Sequence, residues 1–362
     1  MRIGYIDSFK GLGILGVVMI HLPGNNLPPC LLQLMVYWAV FSFFFISGWM
    51  YHIGGKNRTP REHFKIRLEK FGRIYLIFTI IYIGFDITLV MAGWYEPIII
   101  LKDVYKSVVF TGIGTLWFLP VLLLGETLSN HALASSMIRF LPVLLLGETL
   151  FVACLNYNRN KRMVVLSILT TVSFILFTWS EYCRDLYYSG MIGQALCMPI
   201  DTVGLIGESC LFISLGYLCA KHILPAILII KNKYGDKVLI MTGLFIMALS
   251  VLCSFQVSEW RLFFARLVLV VPLSLAVIMI TMSLKNDILS RFFSFWGRNS
   301  LILMCTHYSL TLVLIEIADV WINGEIVPSL LRTSLYMGIC LFLTYCLIRI
   351  KFAERFLNIR MS

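Results

Sequence analysis

Charged residues are scarce in this sequence. Only 14% of its 362 residues are Asp, Glu, Lys or Arg, whereas soluble globular domains carry about 25%. Hydrophobic residues make up 59% of the chain, and the mean hydropathy is +0.86. So few polar side chains cannot cover the surface of a water-soluble protein. The composition therefore excludes that class and indicates a protein with several membrane-spanning segments.

Metal-binding and disulfide patterns are also missing. The ten cysteines form no C-x-x-C pair, and no His/Cys spacing is typical of a zinc site. Most of them lie inside apolar runs, as Cys210, Cys219 and Cys340 do. We therefore interpret the cysteines as small core residues, and we expect neither a disulfide framework nor a bound metal.

The apolar runs are long enough for helices. They extend over about 20 residues, the length of a helical span, rather than the roughly 10 alternating residues of a barrel strand. The first run, 5–22, has no small-residue cleavage site and carries Asp7 and Lys10 at its start. We interpret it as a retained first span rather than a secretory signal.

Basic residues fall mainly in alternate linkers. Of the 30 Lys and Arg residues, 23 lie in the segments that face the cytoplasm if the N-terminus does, and only four lie in the opposite linkers. The net charge of +11 thus reflects positive-inside topology rather than nucleic-acid binding. The sequence predicts an all-α, polytopic bundle of about ten transmembrane helices, a single domain over 1–362 with both termini cytoplasmic. The ten predicted spans are 5–22, 31–53, 72–94, 113–156, 163–180, 200–220, 237–256, 262–283, 300–322 and 328–349.

An 11-residue segment occurs twice. FLPVLLLGETL fills 118–128 and, letter for letter, 140–150, so the region 118–150 contains a perfect tandem duplication with a 22-residue offset. A second copy that spanned the membrane would move every later linker to the other side, and the charge bias opposes that. We expect the extra copy to form an irregular, re-entrant or peripheral piece.

Three polar residues share one face of the first span. Lys10 and His21 are eleven positions apart, which rotates an α-helix by about three turns, and Asp7 lies near the same direction. Such residues face the protein interior rather than lipid. Along a straight helix Lys10 and His21 are about 16 Å apart, so they serve different parts of one long site. The plainer alternative is a core histidine with a snorkelling lysine.

Two later segments are also candidates, one with small residues in the second apolar run and one with basic residues just before and at the start of the third. Ser47 and Gly48 interrupt a phenylalanine run and permit close helix packing. Arg67, Lys70 and Arg73 are spaced by three on a helix that enters the membrane. They either control topology or bind the phosphates of an anionic cofactor.

The remaining candidates lie at predicted helix ends. Trp117 lies near the outer boundary, where an interfacial aromatic belt is the alternative to a functional role. Asn299 or Ser300 is a plausible helix cap, and His307 follows about two turns inside the same span. An intramembrane histidine is costly without a purpose or a partner. We set aside His52, His63, His131 and His222 because they lie in linkers, at a helix end or in the duplicated insert.

Taken together, these segments resemble the acyltransferase-3 family of integral membrane O-acyltransferases. The family signature is a basic residue, ten residues and then histidine in the first span. The elements FFFISG, RIY, LWFLP and GRNSL…H recur in the same order, and the resemblance extends from about residue 3 to 350. The wording IDSFKGLGILGVVMIH is most similar to the fucose 4-O-acetylase-like branch, in which lysine replaces the more common arginine.

The resemblance implies an activity and a site. The family transfers an acyl group, usually acetyl from acetyl-CoA, to a hydroxyl of a cell-surface polysaccharide or its lipid-linked precursor, at the bacterial inner membrane. It implies no permanently bound cofactor; the partners are the bilayer, acyl-CoA and a glycan acceptor. His21 would be the general base, while Lys10 and His307 complete the catalytic set. Arg67, Lys70 and Arg73 would bind the donor, and Asp7, Ser47, Trp117, Asn299 and Ser300 would support the site.

A transporter or flippase of glycan precursors is the competing class. Acidic residues within spans, such as Asp86, Asp201 and Glu208, could relay ions or hold a substrate. The pairing of these charges with basic groups inside the bundle is the structural alternative. The first-span pattern of a basic residue, ten residues and histidine favours the acyltransferase.

Overall fold

The computed structural model describes most of the chain as helices. The described residues are 3–22, 29–54, 59–69, 73–91, 93, 96–108, 136–156, 162–257, 262–284, 288–307 and 329–349. Across these ranges every regular element is helical, as the sequence predicts. The helices are α1 Gly4–Ile20, α2 Pro29–Gly54, α3 Pro60–Arg67, α4 Arg73–Met91, α5 Ile98–Val108, α6 Ser136–Leu155, α7 Arg162–Tyr188, α8 Gln194–His222, α9 Leu224–Val257, α10 Leu262–Ser283, α11 Ile288–Arg298, α12 Ser300–Thr306 and α13 Ser329–Arg349.

Five of these helices are long and apolar enough to cross a membrane. Their apolar stretches are Leu34–Gly54, Val164–Tyr188, Val203–His222, Leu224–Phe255 and Ala265–Ser283, which lie in α2, α7, α8, α9 and α10. The fold is therefore that of a multi-pass membrane protein. The full count of ten spans and the cytoplasmic position of both termini stay predictions.

The centre of the bundle is formed by α1, α2, α8 and α10. Aromatic residues of α2 fill it, and Phe44, Phe45 and Trp49 are fully buried together with Phe212 of α8. In α7 and α9, by contrast, large apolar side chains such as that of Phe245 are exposed and suit contact with lipid tails.

Glycines bring α2 and α8 into close contact. A Cβ atom at Gly48 would overlap the carbonyl oxygen of Ile213, and one at Gly216 would overlap that of Phe45. The absence of side chains here lets the two backbones touch, as small residues do between membrane helices. The packing interpretation of the Ser47-Gly48 pair is thus confirmed for Gly48.

Two predicted linkers are helical instead. The segment 221–237 contains the start of α9, which is interrupted only at Gly235, where φ is 82°. The segment 284–298 contains α11, which packs against α1. Counting basic residues does not detect such helices, because it measures charge and not the arrangement of apolar side chains around a helix.

Candidate functional site

The first helix presents Lys10 and His21 at different depths. α1 is continuous from Gly4 to Ile20, and His21 is its C-cap residue. Because the helix has no break between them, the expected separation of about 16 Å along its axis holds. Lys10 Nζ lies 3.4 Å from the sulfur of Met50 on α2, so Lys10 belongs to the end of the bundle where α1 begins.

Helix α11, which precedes α12 and His307 in the chain, packs antiparallel against α1. Ser8 Oγ and Ser294 Oγ are 2.8 Å apart, with a sequence separation of 286. A Cβ atom at Gly297 would overlap the carbonyl oxygen of Asp7 and would lie 2.9 Å from the Gly11 nitrogen. The two helices therefore approach through bare backbone.

A break at Asn299 separates α11 from α12. Asn299 has φ −101° and ψ 13°, and it occupies the N-cap position of α12 as predicted. Its side chain makes no capping bond; the amide nitrogen instead donates to the carbonyl oxygen of Phe295 at 2.9 Å. Ser300 is half-buried at the first turn of α12. The predicted cap is thus correct in position and wrong in its hydrogen bond.

The structure brings His21 and His307 together. Their ring centroids are 5.5 Å apart with an interplanar angle of 69°, an edge-to-face arrangement. Each histidine is the C-cap residue of its helix, α1 for His21 and α12 for His307. His307 is buried, whereas His21 is half-buried. Sequence reasoning selected both residues but did not predict their contact.

The two imidazoles have the same backbone anchor. Nδ1 of His21 lies 2.8 Å from the carbonyl oxygen of Val17, and Nδ1 of His307 lies 2.9 Å from that of Leu303. A carbonyl oxygen can only accept, so Nδ1 of each ring carries the proton. In the neutral form, Nε2 is then the basic nitrogen of each ring.

Two of the predicted supporting residues lie on the first two helices. Asp7 and Ser47 are both half-buried, on α1 and α2 respectively. Tyr5 and Trp49 also join these helices, since Trp49 Nε1 donates to the Tyr5 hydroxyl at 3.2 Å. Asp7 thus lies near Lys10 at the beginning of α1, and a full helix length separates it from the two histidines.

The predicted donor-binding residues fall at two helix ends. Arg67 is the last residue of α3 and Arg73 is the first of α4. Lys70 lies between them, outside the described residues, as do Trp117 and the first copy of the duplication. The second copy lies within α6, which packs against α8 and α3.

Sequence reasoning missed a buried polar contact at His63. Nε2 of this residue lies 3.4 Å from Oε2 of Glu148, and both side chains are almost completely buried. The Tyr51 hydroxyl lies 2.8 Å from the same nitrogen. The available signal was the Thr59-x-x-Glu62 pattern, which starts a helix in the supposed linker. The partner, in α6, could not be read from the sequence.

A second buried contact accounts for charges inside the bundle. Arg266 of α10 donates through Nη1 to both carboxylate oxygens of Glu208 on α8, at 3.0 and 2.8 Å. Its guanidinium carbon lies 4.2 Å from the ring centroid of Phe41. The structural alternative for Glu208 is confirmed, because a buried carboxylate beside arginine is neutralised locally. The side chain of Asp201 lies outside the described part.

Comparison with known proteins identifies the family. The acyltransferase-3 family, described as "Acyltransferase domain", matches residues 3–349. Neither a search of the curated proteins nor one of the solved structures finds a match. The family match includes both histidines and nearly the whole chain, and it carries the general activity of a membrane acyltransferase. The chain belongs to the acyltransferase-3 family.

Proposed function

We propose that this protein transfers acetyl from acetyl-CoA to a hydroxyl of a cell-surface polysaccharide or its lipid-linked precursor, in the bacterial inner membrane. The observation that carries the proposal is the pair of imidazoles, 5.5 Å apart, each with Nδ1 on a backbone carbonyl. Two positioned imidazoles at the ends of buried helices suit proton transfer at neutral pH. The wording of the first span favours the fucose 4-O-acetylase-like branch.

His21 is the general base of this reaction. A sugar hydroxyl is a weak nucleophile until its proton is removed, and Nε2 of His21 takes that proton as the oxygen attacks the thioester carbon. The carbon–sulfur bond then breaks, the acetyl group remains on the sugar oxygen, and the imidazolium returns the proton to the departing CoA sulfur. Atoms and charge balance without any metal.

His307 is the group best located to act beside His21. It orients the reacting groups or stabilises the negative charge on the thioester oxygen. Asn299 and Ser300 lie eight and seven residues before His307, which is about 10 Å or more along a helix. They therefore support the helix that ends at His307. They are too far along it to contact the substrate atom that His21 Nε2 contacts.

The donor is expected to approach from the other end of α1. CoA carries several phosphates on a long, flexible pantetheine arm, so basic groups far from the catalytic base can hold it. Lys10 is about 16 Å from His21 along α1 and suits that role, together with Arg67, Lys70 and Arg73. In the predicted topology all four lie near the cytoplasmic side, where acetyl-CoA is available.

A comparison of variants at Arg73 and Lys56 distinguishes phosphate binding from topology control. Arg73 is the first residue of α4, whereas Lys56 precedes α3 in the sequence. We predict that Arg73→Ala weakens CoA binding by about tenfold, as expected for the loss of a charged hydrogen bond, and that Lys56→Ala has little effect. Isothermal titration with CoA measures both. Equal effects of the two substitutions would show that the basic cluster acts only through topology and general electrostatic attraction, not through specific phosphate binding.

Turnover distinguishes the acyltransferase from a transporter. The purified protein should release CoA from acetyl-CoA in the presence of lipid-linked glycan, and mass spectrometry should show acetate on the product. A transporter would move glycan without consuming acetyl-CoA. The Glu208–Arg266 pair does not favour transport, because this carboxylate is already bound by a fixed arginine. Surface glycan from a deletion strain identifies the acceptor.

A further inference from the structure

Helix α3 exposes charged side chains to its surroundings and buries one polar residue, His63. Arg61, Glu62 and Lys65 are exposed, while His63 is only 2% exposed. The helix begins with a capping box, since the Thr59 hydroxyl accepts from the Glu62 backbone and the Glu62 carboxylate accepts from the Thr59 backbone. Such a short helix is marginal alone and needs a tertiary contact to hold it.

His63 supplies that contact and joins three helices. Its Nε2 lies 3.4 Å from Glu148 Oε2 on α6 and 2.8 Å from the Tyr51 hydroxyl on α2. The Tyr51 ring also lies 5.6 Å from that of Phe151, one turn after Glu148. We name Tyr51, His63 and Glu148 the His63 latch.

The latch is polar although its surroundings are apolar. Burial of a carboxylate is costly unless a partner compensates it, and removal of one partner leaves the other uncompensated. Apolar side chains could hold α3 against α6 with less penalty, but they would not fix its rotation. The 2.8 Å hydrogen bond between His63 Nε2 and the Tyr51 hydroxyl is directional and defines one orientation of the helix.

The orientation matters because of what α3 leads to. Arg67 ends α3, and Arg73 begins the next helix after a short connection. On the other side of the latch, Tyr51 directly follows Met50, whose sulfur contacts Lys10 Nζ. The latch therefore joins α2, which contacts Lys10, to α3, which ends at Arg67.

We propose that Tyr51, His63 and Glu148 are positioning residues that hold α3 against α2 and α6 and so position Arg67, at the end of α3, to bind the CoA phosphates. This inference rests on the proposed function for the identity of the donor. None of the three residues needs to touch CoA. Their effect passes through the position of Arg67 at the end of α3.

The first experiment tests the latch without any substrate. Limited trypsin digestion in detergent reports how often α3 opens, because cleavage of a transiently open segment follows its population. His63→Ala and Glu148→Gln should each accelerate cleavage at Arg61, Lys65 and Arg67 by about tenfold. His222→Ala, which removes a histidine side chain at an exposed helix end, is the matched control. Trypsin should cleave it at the wild-type rate.

The second experiment tests the consequence for the donor. CoA affinity and the KM for acetyl-CoA should weaken by about tenfold in both latch variants, while the KM for the glycan acceptor stays within twofold of wild type. His63→Gln should recover most of the affinity, because its amide can donate to Glu148. A merely structural defect would lower kcat and affect both substrates.

The outcomes separate the latch from the proposed function. Unchanged cleavage in both variants overturns the latch, and faster cleavage with unchanged CoA affinity overturns its positioning role. If the wild-type protein binds no CoA, the proposed donor and the positioning role are both overturned. Trypsin digestion still shows whether the His63 latch holds α3. If His63→Ala does not accumulate, Tyr51→Phe replaces it. Failure of that variant to accumulate also overturns the proposal, since it shows a folding role.

Discussion

At the scale of single residues, the backbone determines the chemistry of the two histidines. Val17 and Leu303 carbonyl oxygens each hold an Nδ1 proton, which leaves Nε2 as the basic nitrogen of His21 and of His307. The sequence indicated both residues because intramembrane histidines are rare. It could not indicate the tautomer, which depends on the distance from each ring to a carbonyl group.

Lys10 provides the prediction at this scale. Its ammonium lies beside Met50 and not beside His21, so its role is electrostatic and belongs to the donor. Lys10→Arg keeps the charge and should retain at least about a third of the activity, whereas Lys10→Ala should lose roughly tenfold or more. Initial rates of CoA release at subsaturating acetyl-CoA measure the difference.

Lys10→Met is the control that separates charge from packing. It preserves the apolar stem against α2 but removes the ammonium. An activity for Lys10→Met close to wild type would show that the stem, and not the charge, is what the site needs.

At the scale of helices, the register of α11 and α12 against α1 sets the distance between the two histidines. Contacts at Gly11 and Gly297 fix that register through the backbone. The sequence predicted α2 almost to its ends, because a long apolar run has clear limits. It did not predict the helix within 284–298, because a count of basic residues does not show that the apolar side of this segment packs on α1.

Gly297 tests the register. Gly297→Ala places a methyl group against the Asp7 carbonyl oxygen, so α11 must move away from α1. Because displacements of about 1 Å can cost up to about 100-fold in rate, we predict at least a tenfold loss of kcat. Turnover and thermal unfolding in detergent are measured together.

Gly338→Ala is the matched control, since no atom lies within 4 Å of a Cβ there. It should leave turnover unchanged and should stabilise α13 slightly, because alanine favours helix. Wild-type turnover in Gly297→Ala would show that the close approach of α1 and α11 does not position His307.

At the scale of the whole molecule, contacts between segments far apart in the sequence form the two histidine clusters. His21 meets His307, and His63 meets Glu148. The helical class followed from composition, and the family from motifs in order along the chain. The pairings did not follow, since a buried ion pair leaves no periodic pattern in either partner. His63 was set aside because its position between two apolar runs indicated a linker.

The duplication provides the prediction for the whole chain. Glu148, which contacts His63, lies in the second copy of the repeated segment. Deletion of 118–139 joins TLW directly to this copy and keeps Glu148. If the first copy is dispensable, the shortened protein should reach at least wild-type abundance and activity. Loss of activity at normal abundance would show that the insert has acquired a role.

The central claim is that His21 is the general base of an acyl transfer, and one comparison tests it most directly. His21→Ala and wild type are brought to equal membrane abundance, and acetate on the surface glycan is measured by mass spectrometry. Loss of a general base costs about 10²- to 10⁴-fold, so acetylation by His21→Ala should fall below one per cent of wild type. Near-normal acetylation in that variant would contradict the mechanism and leave His21 as a core histidine.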